Sequence, residues 1–298
     1  MADTDPISLG EQEREQMVRS KVTCPFLGPA VATRQFPVRG DASNPLASIE
    51  DIRALGNSGG GDLGDLLVLF AKGNHAFMRG PSGQLTQPVP AGLFSLELPG
   101  SQGSHPGHSG ILQGDPTLLG SGRFSEADLQ RLLSRAEDGF IKRSSVGAFI
   151  AENLVKDPAS KVFGRSVVGL LAHDLHDFVS AVGPAFLHRF HGTEPEAESA
   201  HREMLEKLTK VLGEDNLVGS AGEFGLLFAF LANKPGATHI DGEPALAVHD
   251  LRLMFVDKKF PEGWETWKKR RIDWVTNTTA LTLSAGREYL RLKKAAQH

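Results

Sequence analysis

The chain has 298 residues, 40% of them hydrophobic and 23% charged, with a formal net charge of −4 and a single cysteine. That length suits one large domain or two small ones. There is no excess of Lys and Arg to neutralise phosphates, which excludes a general nucleic-acid binder, and one cysteine excludes an internal disulfide, so the core has to hold the fold.

The N-terminal stretch "MADTDPISLGEQEREQ" is polar and acidic, with no basic segment leading into an apolar one. No run approaches the roughly 18 apolar residues of a membrane span. The expectation is an intracellular, water-soluble protein. The first 40 residues read as irregular except for a short segment after Cys24. "SNPLASIEDIRALG" predicts a helix with Asn44 as its cap, Pro45 at the first helical position and Gly56 at its end. "GDLGDLLVLFAKGNHAF" (61–77) reads as a buried helix. From 79 to 123 the chain is rich in Gly, Pro, Ser and His and predicts a long ordered loop, a feature often functional inside a compact domain.

"SEADLQRLLSRA" opens on Ser125 and Asp128, three apart, the spacing of a capping box. "SSVGAFIAENLVKD" follows as an amphipathic helix. "VVGLLAHDLHDFVSAVGPAFLHRF" predicts another, interrupted near Gly183–Pro184, and "EAESAHREMLEKLTKVLG" one more, ending at Gly213. "GEFGLLFAFLA" (222–232) is apolar nearly all round and predicts a central helix. "GEPALAVHDLRLMFVDKKFPEGW" supplies a helix with a proline exit, and the basic tail from 264 to 298 is helical in pattern. β-hairpin signals are scarce. These elements predict a mainly α, multi-helix single domain spanning 1–298, with a core over about 20–265 and a helical C-terminal extension over about 266–298.

Three short motifs carry the candidate chemistry. The first is "VTCPFLGP". Pro25 suits the first position of a short helix, which makes Cys24 its cap, facing free backbone N–H groups and the positive end of the helix dipole. Such a setting favours the thiolate, hence a nucleophile or a metal ligand. No cysteine-protease signature surrounds it, and one thiolate cannot build a zinc ribbon, but it can be the single axial ligand of a haem iron. The bland alternative is a small buried hydrophobe.

The second motif is "GILQGDPTL" (110–118), in which Gln113, Gly114 and Thr117 fall in a short polar run around Asp115. The same residues satisfy a plain Gly-Asp-Pro turn. The third is "AGEFGLLFAFL", where Glu223 sits at the edge of an apolar segment. Ser220 and Glu223 have capping-box spacing, which alone accounts for the glutamate. Alternatively, a carboxylate beside an apolar cavity can shuttle protons.

Taken in order, these motifs resemble the haem-thiolate peroxidases, the family of chloroperoxidase and the unspecific peroxygenases. "CPFLGPAVATRQFP" is similar to the family's Pro-Cys-Pro element, with Cys24 and Pro25 matching and Phe36–Pro37 at the following pair. Thr23 replaces the first proline, and Thr33, Arg34 and Gln35 stand where the family has an Asn-His-Gly-like run. "QGDPT" is laid on the family's Glu-Gly-Asp triplet and its serine, with Gln113 for the glutamate and Thr117 for the serine. Glu223 falls on the family's distal acid–base residue, followed by a helix with a Phe-Pro exit, as in "LRLMFVDKKFPEGW".

The resemblance implies haem b with Cys24 as axial iron ligand and Pro25 beside it. It further implies a Mg²⁺ near a haem propionate on Gln113, the Gly114 carbonyl and Thr117, bound more weakly because Gln113 carries no charge. Glu223 is then the catalytic acid–base group. The partners implied are hydrogen peroxide or an organic peroxide and a small apolar or aromatic substrate. Phe224, Leu227 and Phe228 are candidates to line the pocket, with core packing as their ordinary role. The family's partner to the glutamate is missing, since Asn216 and Gly114 stand where its arginine or histidine would be. His105 and His108 are candidates by position only, and His173 and His176, with Asp174 and Asp177, share one helix face. The competing expectation is a non-enzymatic helical haem- or partner-binding protein, with Cys24 a core residue and Glu223 a helix cap.

Overall fold

The computed structural model describes residues 5–75, 77–79, 85–97, 112–113, 123–156, 160, 162 and 216–297. Among them the fold is mixed, helical for the most part but with small antiparallel sheets. This departs from the mainly α expectation, and the reason is physical. The strands are two to five residues long, too short to display a period of two in the sequence.

Helix α1 (Glu11–Ser20) leads into the short α2 (Leu27–Ala32). Strands β1 (Arg39–Gly40) and β2 (Pro45–Ser48) follow, and β5 (Leu93–Ser95) completes a three-stranded sheet in the order β1-β2-β5. The predicted helix start at Asn44 is therefore displaced. Residues 45–48 pair as a strand, with Leu46 opposite Ser95, and α3 (Ile49–Asn57) begins behind Ser48. Ser48 accepts the Asp51 N–H at 3.1 Å while the Asp51 carboxylate takes the Ser48 N–H at 3.3 Å, a reciprocal cap.

Helix α4 (Gly64–Asn74) packs against α3. The segment expected as a long loop contributes β3 (Phe77–Arg79) paired with β4 (Leu85–Pro88), and β6 (Leu112–Gln113) paired with β7 (Arg123–Phe124). Helix α5 (Glu126–Leu133) starts at Ser125, whose hydroxyl accepts the Asp128 N–H. Strand β8 (Phe140–Lys142) joins β9 (Thr238–Ile240) and β10 (Glu243–Ala247) in the order β8-β10-β9. The helices predicted over 167–190 and 196–213 lie outside the described residues.

Three long helices form the centre: α6 (Arg143–Lys156), α7 (Asn216–Leu231) and α9 (Arg271–Ala295). The tail expected as an extension thus packs along α6 and α7. Two glycines permit the close approach: a Cβ on Gly147 would collide with Ser284, and one on Gly225 with Thr278, both on α9. Trp274 of α9 donates its indole N–H to the Gly222 carbonyl at 2.9 Å. Helix α7 is buried along nearly its whole length, as a helix apolar on all sides has to be. Helix α8 (Val248–Phe255) then leads to a turn that returns against α7.

Candidate functional site

The turn carrying Cys24 departs in part from the sequence expectation: α2 starts at Leu27 with Phe26 as its cap residue, so Cys24 and Pro25 lie in the turn before the helix and not at its cap and first position. The Cys24 carbonyl accepts the Gly28 N–H at 2.9 Å and the Phe26 carbonyl accepts the Ala30 N–H at 3.3 Å. Helical bonding thus begins at Cys24, with Pro25 where no N–H is required. The sulfur accepts the backbone N–H groups of Phe26 and Leu27. Phe26 packs edge-on against Phe230 of α7 with ring centroids 5.4 Å apart, which seats the turn on the central helix. Phe230 also contacts Phe260 at 5.4 Å and Trp264 at 6.1 Å.

The electrostatics differ from expectation. Burial pushes the Cys24 thiol up, outweighing the two N–H groups, and the Glu223 charge pushes it further, against the opposite pull of Lys258. Desolvation disfavours the charged form, so the protein alone holds Cys24 as the thiol. Ionising it calls for a cation at the sulfur.

Glu223 lies in the middle of α7 and is 3% exposed. The helix is described from Asn216 on, and the Ser220 hydroxyl donates to the Asn216 carbonyl at 2.7 Å. The capping box expected between Ser220 and Glu223 is therefore not formed, because the helix extends upstream of both. Glu223, Leu227 and Phe230 share one face of α7 by their spacing, and Phe230 on that face touches the Cys24 turn. Glu223 and Cys24, far apart in the chain, are within electrostatic reach of one another. Asn216 lies two turns before Glu223 on the same helix. Phe224 stacks edge-on against Phe149 at 6.3 Å, and Leu227 and Phe228 are buried; among the described residues all three belong to the hydrophobic core.

Lys258 is the site residue that sequence reasoning missed. It follows α8 with a left-handed backbone, φ 53°. Lys259 sends its N–H back to the Leu253 carbonyl at 2.9 Å, which folds the chain back after the helix and leaves Lys258 in the left-handed region where glycine is at ease. The Lys258 side chain runs inward over Gly28, is 9% exposed, and donates to the Thr23 carbonyl at 2.9 Å. Burial lowers its pKa to about 8, opposed by the Cys24 charge. Its ammonium also lies 5.8 Å from the Phe124 ring, and Phe124 stacks on Phe255 at 6.3 Å. No sequence pattern marks this lysine, since "VDKKF" reads as a solvated turn.

Phe124 links the second motif to the first. In the β6–β7 pair Leu112 faces Phe124 and Gln113 faces Arg123, so the strand that opens the second motif runs beside the residue under Lys258. Gly114, Asp115 and Thr117 lie outside the described residues, as do His105, His108, His173, His176, Asp174 and Asp177. Among the described residues no group of three or more His, Cys, Asp or Glu side chains is placed to hold a metal ion, a test that does not bear on a one-sulfur axial ligand. The donor set present suits a haem iron on its thiolate side: one sulfur, two peptide N–H groups on it, and the apolar wall of Phe26, Leu27 and Phe230. No helix among the described residues is long and apolar enough to cross a membrane. No known family model, curated protein or solved structure matches the chain.

Proposed function

We propose that the protein is a haem-thiolate peroxidase or peroxygenase. It would use hydrogen peroxide or an organic peroxide to oxidise or oxygenate a small apolar or aromatic substrate. The observation that carries this reading is the meeting of Cys24, Glu223 and the strand of the second motif, three segments far apart in the chain, around one buried cluster. The glutamate's position in the middle of α7 removes its explanation as a helix cap and favours a chemical role.

Haem, when bound, supplies the iron at which a peroxide O–O bond is broken. Cys24 would hold the group through its sulfur and supply electron density to it. The Phe26 and Leu27 N–H groups hold the sulfur in place and share its negative charge. The Glu223 carboxylate would accept a proton from peroxide and give it back, acting as base and then as acid. Cys24 is partly buried and packs against the hydrophobic core, which limits water at the sulfur. Gln113, Gly114 and Thr117 would supply oxygen ligands to a Mg²⁺ at the edge of the group.

The test is spectroscopic. Purified protein loaded with haemin should be red-brown, and its reduced carbon-monoxide complex should absorb at the long wavelength typical of a thiolate-ligated haem. Glu223→Gln should keep haem bound and react with peroxide more slowly, by about 10²- to 10⁴-fold for a lost general base. A colourless protein that ignores haemin would leave Cys24 a packing residue in a non-enzymatic module, and an unchanged rate in Glu223→Gln would remove the glutamate from the chemistry.

A further inference from the structure

We propose that Lys258 is the buried counter-charge of the Cys24 thiolate, a positioning residue that raises the reduction potential of the iron ligated there; this rests on the haem-thiolate reading above. Three geometric facts support it. First, Lys258 Nζ donates at 2.9 Å to the Thr23 carbonyl, which belongs to the peptide bond leading into Cys24, so the ammonium is fixed beside the sulfur's own backbone. Second, this is its one hydrogen bond among the described residues, although an ammonium carries three donors. A buried ammonium so sparsely bonded is costly unless a negative charge stands near it.

Third, the backbone that delivers this side chain is strained. A lysine at φ 53° occupies a position glycine fills at no steric cost, and such strain persists where the rest of the structure or the function requires it. Gly28 answers from the other side: a Cβ there would press on the Lys258 stem at 2.8 Å, so the α2 turn leaves a channel for the lysine. A positive charge fixed near a metal's ligand favours the more reduced, less positive state of that metal.

The test separates the charge from the hydrogen bond. Lys258→Arg keeps both, Lys258→Gln keeps a donor for the Thr23 carbonyl without charge, and Lys258→Met keeps only the stem. Each variant is loaded with haemin, and its ferric–ferrous midpoint potential and reduced carbon-monoxide spectrum are recorded. The expected result is that Gln and Met shift the potential negative together while Arg stays near wild type. The Gln and Met variants should also lose part of the long-wavelength carbon-monoxide band. A shift in Met alone would make Lys258 a structural strut and overturn the proposal, as would equal potentials in all four proteins. If Met does not fold, the Gln and Arg pair decides. If wild type lacks the long-wavelength band, the haem-thiolate reading falls and takes this inference with it, an outcome distinct from a normal wild-type spectrum with unshifted variants.

Discussion

Acidification should destabilise this protein through His75. The ring sits at the end of α4, is buried, donates through Nδ1 to the Glu97 carbonyl at 3.1 Å, and lies edge-on to Phe94 at 6.2 Å. A carbonyl can only accept, so Nδ1 is the protonated nitrogen of a neutral ring. Burial lowers the pKa from 6.5 to about 4. Between those values the unfolded chain binds a proton that the folded protein refuses, so stability is intact above pH 6.5 and is lost as pH falls toward 4. The full difference is worth about 3 kcal/mol, and about 2 kcal/mol of it is lost between pH 7 and pH 5. With a urea slope of about 3 kcal/mol/M, the unfolding midpoint should drop by about 0.7 M over that interval. His75→Asn places an amide N–H near Nδ1 and cannot titrate. It should be less stable at pH 7, by about 1–3 kcal/mol for the lost ring packing, but should lose about 2 kcal/mol less on going to pH 5. Parallel urea curves for wild type and variant at both pH values would refute the reasoning.

Two further predictions concern the frame of the site. Phe230→Ala removes the ring that joins α7 to Phe26, Phe260 and Trp264. It should cost about 3–5 kcal/mol in chemical denaturation and speed alkylation of Cys24 by a neutral maleimide as the turn loosens. Gly225→Val forces a side chain into Thr278 and should cost about 1–3 kcal/mol or more from overpacking. Pairing it with Thr278→Ala should restore part of that loss in the same denaturation series.

The helices over 61–77, 125–136, 144–157 and 222–232 were legible because each is set by local features: an apolar period, a serine cap, a glycine stop. The Cys24 turn was legible in part: Pro25 marks a helix entry, but the cap falls at Phe26, two residues beyond Cys24. Errors arose where a distant segment competed. Ser48 rather than Asn44 caps α3 because residues 45–48 are held by β1 and β5, and a strand partner some fifty residues on leaves no local mark. Glu223 reads as a cap only if the helix begins at its own apolar run. The helix runs upstream at least to Asn216 and is supported there by packing on α6 and α9, which tertiary contact supplies and propensity does not.

By itself the sequence determined which residues could carry chemistry, since a lone thiol before proline and a carboxylate in an apolar run are visible as residue types in order. The tertiary structure decided that they come within electrostatic reach of one another and that Lys258 stands near the thiol. Burial and charge proximity depend on chain segments that meet only after folding, and a lysine's neighbours in sequence say nothing about whether its ammonium ends in water or against the carbonyl of Thr23.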